Sequence, residues 1–452
     1  MTELEDYAGR IEALAQRLGL DYYPVDFEMA PASLMTEIAV YGLPVRMPHW
    51  SFGVRYIHQL VRQSMGHSKI FEVMFPGDPC RAFLMDGNST AENALVTAHV
   101  LGHADFSKNN QLFARFHAMA GGNIVETAAA HAHRIQLAIE AHGVEKVESV
   151  LDAALALEAH IDVAGELHRA RYPEFLEAKA KVPETEFQSR FRQLPGAEAP
   201  AAQKNALVRA PVPPHSEYDL LWFIAHYAPE LEQWERDIFL MVRTESFYFY
   251  PVFACQIMNE GWASYWHARL LREADFLPQP LYLSAIKAHS DVVRPFASGQ
   301  QTALAINPYH LGFTIWERIV AKHGLERARA VRRDEDDFGF VRNFLDEELA
   351  EQAGLFVYET RPGDEIRVAT KDISAIREAI LAPKFNYGSP RVAATELKHD
   401  GSLTLVHDHA SDGRGLDVTR AKRVLDYVHR VWRRPVKLAT ANDKNEAVEL
   451  AA

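Results

Sequence analysis

Residues 89–110 read STAENALVTAHVLGHADFSKNN, and this stretch opens a helical pattern that dominates the chain. Ser89 can cap a helix, and Glu92 follows it by three residues, which is the spacing of a capping box. We therefore predict a helix that begins just after Ser89 and runs to about His103 or Phe106.

A pair of histidines lies on this predicted helix. His99 and His103 are four residues apart, so they share one face with Cβ atoms about 5–6 Å apart, and both imidazoles can reach one metal ion. Glu92 lies seven residues before His99, about 20° from the same line at 100° per residue. Leu95 and Phe106 flank this stripe, which predicts a protected interior rather than open solvent. The alternative is a surface pair, or two core histidines satisfied by hydrogen bonds.

A second motif, NEGWA at residues 259–263, predicts a further ligand. Helical metalloproteases often take a third ligand from a glutamate on a second helix, and Gly261 would let a neighbouring helix come close. His99, His103 and Glu260 would then form a two-histidine, one-carboxylate zinc site with an open coordination position. The alternative is that Glu260 pairs with an arginine in a tight helix interface.

The catalytic base has to come from outside the histidine motif. Val100 occupies the position at which the HExxH motif of zinc proteases carries its glutamate. Glu92 and His267, which share helix faces with the predicted ligands, are the candidate general bases. His49, in a loop bounded by proline and glycine, and His289, near a helix end, could orient substrate or donate a proton. A structural role is the alternative for both of these histidines.

The same residues also admit a different metal. Glu92, His99, His103, Glu260 and His267 together resemble the carboxylate–histidine sets that hold iron or manganese between helices. Zinc is therefore the predicted cofactor, with iron or manganese as the alternative.

The pattern of the whole chain predicts an α+β fold that is predominantly helical. Residues 1–350 form a large helical body with a metalloprotease-like helix pair, interrupted at 182–216 by a flexible excursion with six prolines. Short strand patterns begin near residue 355, and the HDG sequence at 399–401 predicts a hairpin. We predict a small α/β module at 355–440 and a disordered tail at 441–452.

Composition excludes several classes of protein. The chain has 452 residues, 48% of them hydrophobic, and a net charge of −13, which disfavours intrinsic disorder and a nucleic-acid partner. Cys80 and Cys255 cannot build a disulfide framework. The first residues lack the pattern of a signal peptide, and no window of about 18 apolar residues occurs. We therefore predict a cytoplasmic protein without a membrane span.

Several blocks of sequence identify a family resemblance. They are PHWSFG at 48–53, AHVLGH at 98–103, MNEGWA at 258–263, INPY at 306–309 and FVRNF at 340–344. With these blocks in this order, the chain resembles the stage V sporulation protein R family, the SpoVR-like proteins, over nearly its whole length. The resemblance implies a link to formation of spore cortex peptidoglycan. It also implies operon partners, a serine protein kinase and a second protein, but no established reaction.

The leading hypothesis from the residues is a metal-dependent hydrolase that acts on an amide or peptide-like bond. One alternative is a non-catalytic regulatory or scaffold protein that acts with the kinase and the second partner and docks through residues 355–452. The other is a non-haem iron or manganese protein. The oligomeric state is not predicted.

Overall fold

The computed structural model describes residues 3–41, 51, 55, 57, 72–169, 171–179, 205–294, 307–361 and 365–452. The helices are α1 (Glu3–Arg17), α2 (Ala32–Tyr41), α3 (Thr90–Asn109), α4 (Gln111–Met119), α5 (Ile124–His142), α6 (Val144–Ala156), α7 (Gly165–His168), α8 (Leu220–Tyr227), α9 (Gln233–Ala254), α10 (Gln256–Glu273), α11 (Gln279–Val293), α12 (Pro308–Asp334), α13 (Asp337–Phe344), α14 (Glu347–Gln352), α15 (Ile373–Leu381), α16 (His409–Asp412) and α17 (Val418–Trp432). The strands are β1 (Val25–Ala30), β2 (Glu72–Phe75), β3 (Cys80–Met85), β4 (Phe175–Lys179), β5 (Asn205–Arg209), β6 (Val357–Arg361), β7 (Glu365–Thr370), β8 (Val392–Leu397), β9 (Leu403–His407), β10 (Val436–Ala441) and β11 (Ala447–Ala451). The predicted α+β, predominantly helical class is confirmed.

The chain divides into two compact units. The first unit combines Met1–Ala159 with Gln233–Ser389, and the second combines His160–Glu232 with Pro390–Ala452. This division differs from the sequence-based one, which separates a body at 1–350 from a module at 355–440. The reason is that α15 contributes Ile376, Ile380 and Leu381 to the core of the first unit. A deletion that starts at residue 355 would therefore open that core.

Helix α3 lies at the centre of the first unit and is buried along most of its length. Helix α10 packs against both α3 and α12. Glycines permit this close approach: a Cβ atom at Gly102 would lie 2.7 Å from Cα of Ala263, and one at Gly312 would lie 2.7 Å from Cα of Gly261. Helix backbones therefore meet almost directly on both sides of α10, which is the helix that carries Glu260.

A small sheet lies beside α3 in the first unit. Its strand order is β1-β3-β2, with β1 parallel and β2 antiparallel to β3. Side chains of a strand alternate between its two faces, so Glu72 and Met74 of β2 point to the same side. Met74 packs against the main core of the unit, whereas Val73 packs against a separate small cluster. The alternation therefore directs Glu72 towards α3.

The second unit is built around a sheet of order β11-β10-β9-β8. The predicted hairpin is present as β8 and β9, which pair antiparallel, and α17 is amphipathic and buries Trp432. Backbone hydrogen bonds between Glu217 and Ala394, of 2.9 and 2.8 Å, tie the earlier segment to β8. These bonds explain why the residues after 160 belong with the C-terminal sheet.

Several local expectations differ from the structure. The tail at 441–452 is not disordered, because β11 pairs antiparallel with β10 and so supplies its backbone hydrogen bonds. Within the expected excursion at 182–216, β5 pairs with β4, while residues 182–204 lie outside the described residues. Proline usually breaks or ends a helix, but Pro251 lies within the last turn of α9. Proline has no N–H to donate to the carbonyl of Phe247, so α9 lacks this one intrahelical hydrogen bond and continues for three more residues.

Two further sequence-based expectations concern cysteines and membranes. Cys80 and Cys255 are both buried and form no disulfide bond, and burial raises the pKa of the Cys80 thiol to about 11. Among the described helices, none combines the length and apolarity needed to cross a bilayer.

Burial of His117 in α4 should make the folded protein less stable in acid. Burial lowers the pKa of His117 to about 4, and its ring stacks on Tyr248 with centroids 4.9 Å apart. Because the unfolded chain binds this proton near pH 6.5, the stability contribution is complete above that pH and is lost as the pH falls towards 4. His117→Phe keeps a stacked ring without the titration. We expect His117→Phe to reduce the loss of unfolding free energy between pH 6.5 and pH 4 by up to about 3 kcal/mol. Urea unfolding at several pH values measures the slope, and equal slopes in both proteins would contradict the assignment.

Candidate metal centre

Helix α3 presents two histidines on one face, as the spacing predicts. Ser89 caps the helix and forms the complete capping box with Glu92. The rings of His99 and His103 have centroids 4.5 Å apart and are nearly perpendicular, and both side chains are buried. The local sequence therefore fixes the start of the helix and, through the 3.6-residue repeat, the face that carries both imidazoles.

Helix α10 brings the third residue of the cluster. Its first turn is held by Asp337, whose carboxylate accepts hydrogen bonds of 2.9 Å from the backbone N–H groups of Ile257 and Met258. Asp337 also pairs with Lys384 at 2.9 Å. Since Glu260 follows in the next positions of the helix, this anchor helps to set where its carboxylate lies.

His99, His103 and Glu260 converge on one point. Oε2 of Glu260 lies 3.5 Å from Nε2 of His99 and 3.4 Å from Nε2 of His103. The three candidate ligand atoms all lie within 4.8 Å of one another and could hold a metal ion. Two ligand atoms at about 2.1 Å from a tetrahedral zinc ion stand about 3.4 Å apart, so the observed separations suit shared coordination.

The charge state of the cluster also suits a cation. Burial by itself would raise the pKa of Glu260, but the imidazoles of His103 and His99 outweigh it and hold that pKa well below its usual range. Oε2 of Glu260 is buried and makes no hydrogen bond of normal geometry with the described residues. Its ion-pair partners among those residues are the two histidines, with no arginine. A buried carboxylate oxygen without a hydrogen bond is the kind of atom that a metal ion satisfies.

The opposite nitrogens of the two histidines are held by α10. Nδ1 of His103 lies 2.8 Å from Oδ1 of Asn259, and Nδ1 of His99 lies 2.9 Å from Nδ1 of His267. Nε2 of His267 in turn lies 2.5 Å from Nδ1 of His289 on α11. Burial lowers the pKa of His267 well below its usual value, with the neighbouring histidines adding to the effect. Burial and then Arg272 lower the pKa of His289 to about 4, so both rings are neutral at pH 7.

A cavity of about 360 Å³ lies beside the cluster and reaches it at His99. It is lined by Glu72, Glu92, Leu95, Val96, His99, His267, Ala288, Val292, Asn307 and Tyr309. This volume falls in the range of small-molecule sites, and the wall combines an apolar surface with a few polar groups. The cluster therefore borders this cavity through His99.

Two residues of this cavity were missed by the sequence reasoning. Oε1 of Glu72 lies 3.9 Å from Nε2 of His99, and burial raises the pKa of Glu72. The Tyr309 ring is stacked on His99 with centroids 6.1 Å apart. The nearby charge of Glu260, together with burial, raises the pKa of the Tyr309 hydroxyl well above its usual value, so it remains a donor. The weak signals were a carboxylate on the core-facing side of a short strand and a tyrosine within the INPY block.

The other candidate residues differ in where they lie relative to the cavity. Glu92 lines the cavity, but its Oε2 accepts hydrogen bonds of 2.7 and 2.9 Å from the backbone N–H and hydroxyl of Ser89. His267 also lines the cavity, with both nitrogens directed at other histidines. His289 lies behind His267 and does not contribute to the cavity wall. His49 lies outside the described residues.

Comparisons with known proteins cover nearly the whole chain. A family model described as "SpoVR like protein" matches residues 1–388, and one described as "SpoVR-like C-terminal domain" matches residues 391–443. The chain is similar to "Uncharacterized protein YcgB" of Escherichia coli (strain K12), with 29% identity over 488 aligned positions that include 97% of this chain and 92% of that protein. No solved structure matches. The junction of the two family models agrees with the division between the two units at Ser389.

Proposed function

The chain belongs to the SpoVR-like family, and we propose that it is a metal-dependent hydrolase acting on an amide or peptide-like bond. The proposed ligands are His99, His103 and Glu260. The observation that supports it is the approach of both Nε2 atoms to one buried carboxylate oxygen that lacks a hydrogen bond, beside an open cavity. Two histidines and one carboxylate leave a coordination position free, which is typical of catalytic rather than structural zinc.

Zinc is the proposed metal, and bound zinc supplies Lewis acidity that lowers the pKa of a coordinated water to about 7. The protein's own groups would do the rest. Glu72 is placed to accept a proton at its carboxylate, since it faces the same space as Nε2 of His99 at 3.9 Å. The Tyr309 hydroxyl stays protonated and interacts with Glu260, and it would turn to donate a hydrogen bond to the substrate carbonyl oxygen.

This assignment of the base replaces the two sequence-based candidates. In His267, both nitrogens already lie within hydrogen-bond distance of other rings, so neither can readily take a proton from water. The Glu92 carboxylate is engaged at the start of α3. Glu72 has neither constraint among the described hydrogen bonds, and its Oε1 lies on the Nε2 side of His99, where the metal would bind.

An iron or manganese site is the second candidate, and one observation favours it. Glu72 adds a second carboxylate beside the two histidines and Glu260, and carboxylate-rich sets with histidine suit these metals. In that case Glu72 would be a ligand instead of a base. The Glu72→Gln variant separates the roles, because loss of a base leaves metal content unchanged and loss of a ligand lowers it.

Metal content is the direct test of the proposed site. We expect tag-free protein to bind about one equivalent of a transition metal, and His99→Ala or Glu260→Gln to lose it, because a two-ligand remnant binds weakly. His323→Ala is the matched control, since His323 is exposed on α12. Elemental analysis measures the content, and a visible spectrum of anaerobic protein distinguishes iron from zinc. Less than about a tenth of an equivalent in wild-type protein after metal loading would overturn the site.

Hydrolysis needs a separate readout. Metal-loaded protein incubated with a peptide library should generate new termini that mass spectrometry detects, and Glu72→Gln should lower the rate about 100-fold or more while keeping the metal. Cleavage that persists in His99→Ala would point to a contaminating enzyme. A metal-loaded protein that cleaves no amide bond would leave the metal site in place and remove the hydrolase assignment.

A further inference from the structure

Each ligand histidine in the proposed site must carry its proton on one particular nitrogen. A neutral imidazole has one N–H donor and one acceptor nitrogen, and a metal binds the acceptor. The Nε2 atoms of His99 and His103 face Glu260. Both rings therefore need the proton on Nδ1, and each Nδ1–H needs an acceptor in this buried region.

For His103 the acceptor is unambiguous. Oδ1 of Asn259 lies 2.8 Å from Nδ1 of His103, and an amide oxygen can only accept. Asn259 immediately precedes Glu260, so a single turn of α10 supplies both the proposed ligand and the group that orders the proton on its neighbour. This contact selects the form of His103 that leaves Nε2 free.

For His99 the acceptor is another imidazole, which could serve either as donor or as acceptor. Nδ1 of His267 accepts from His99 only if His267 carries its proton on Nε2, and that N–H must then donate to Nδ1 of His289. The reverse order would place a proton on Nε2 of His99 and block coordination. The three rings thus have one metal-competent order of protons.

We propose that α10 selects the coordinating tautomer of both ligand histidines, through Asn259 for His103 and through the His267–His289 pair for His99. His267 and His289 are then positioning residues, in place of the base and substrate-orienting roles considered from sequence. This inference rests on the proposed metal site. Acceptors that hydrogen-bond the free N–H of a metal-binding histidine typically contribute about 10- to 100-fold to metal affinity.

The test compares two substitutions at the same position in the full-length protein. His267→Leu removes the acceptor, whereas His267→Asn places an amide oxygen near the position of the lost Nδ1. We expect Zn²⁺ affinity, measured by competition with a chromophoric chelator, to fall about 10- to 100-fold in His267→Leu and to be largely restored in His267→Asn. Asn259→Leu and Asn259→Asp form the parallel pair for His103, since aspartate keeps an acceptor.

The melting temperature of the metal-free proteins separates positioning from simple structural support. Both substitutions at 267 leave space in the buried region, so a structural role would lower Zn²⁺ affinity and melting temperature together in both variants. Equal Zn²⁺ affinities for His267→Leu and His267→Asn, whether reduced or unchanged, would overturn the inference. Zn²⁺ binding by the wild-type protein would in that case still support the proposed metal site. Absence of Zn²⁺ binding by the wild-type protein would overturn the proposed function and this inference with it.

Discussion

Replacing Gly261 by alanine is expected to lower the free energy of unfolding by about 3 kcal/mol, because the new methyl group has no space. A Cβ atom at this position would lie 2.7 Å from the carbonyl oxygen of Gly312 and nearer still to other backbone atoms of that residue. Backbone atoms cannot move away by rotation about a side-chain torsion, so α10 and α12 would have to separate. Their contact includes the Trp262 and Trp316 rings, whose centroids are 4.8 Å apart.

Gly9→Ala is the matched control for this substitution. Gly9 lies in α1, is exposed, and has nothing within 4 Å of the added carbon, so alanine should raise stability by up to about 1 kcal/mol through its higher helix propensity. Chemical unfolding of both variants measures the two effects, which should have opposite signs. Wild-type stability in Gly261→Ala would show that the two helices do not approach as closely as described.

Lys384→Met is expected to destabilise the protein by about 3–5 kcal/mol, because it leaves a buried carboxylate without its counter-charge. Lys384 lies 2.9 Å from Asp337, and both side chains are almost fully buried. Lys384 also donates a 2.8 Å hydrogen bond to the carbonyl of Phe253. Methionine has a similar length and apolarity along its stem, so the change tests the charge more than the packing.

The pH dependence of this variant provides a second check. Burial raises the pKa of Asp337 to about 6 even with the lysine present. A raised carboxyl pKa means that the folded state holds the proton more readily than the unfolded state, so acid favours folding at this group. The stability deficit of Lys384→Met relative to wild type should therefore shrink as the pH falls from 7 to 5. Lys146→Met, at an exposed position of α6, is the control and should change stability little.

Gly261→Ala and Lys384→Met should also weaken metal binding at the proposed site, because both disturb the first turns of α10. Gly261 adjoins Glu260, and Asp337 fixes the two backbone N–H groups just before it. Zn²⁺ affinity should fall in Gly261→Ala and in Lys384→Met, while Gly9→Ala and Lys146→Met should bind as wild type does. Unchanged Zn²⁺ affinity in Gly261→Ala and Lys384→Met would show that metal binding does not depend on how the start of α10 is anchored.

Local sequence was a good guide wherever short-range geometry decides the outcome. The capping box at Ser89 and Glu92 sets the start of α3, and the helical repeat then places His99 and His103 on one face. The hairpin of β8 and β9 follows from the turn at 399–401. The family resemblance could likewise be read from blocks of residues, since it requires no knowledge of how they meet in space.

Folding of the whole chain decided which distant residues join the cluster, because no repeat or spacing in the sequence encodes those contacts. Glu72, on a separate strand, and Tyr309, more than 200 residues further on, join the cluster because β2 and α12 pack beside α3 and α10. Contacts between residues so far apart depend on packing of side chains in a common core, which periodicity in one segment does not report. The same holds for His267, whose ring nitrogens meet His99 and His289. The pattern of residues therefore identified the two helices that carry the proposed ligands, and three-dimensional packing decided which further groups surround them.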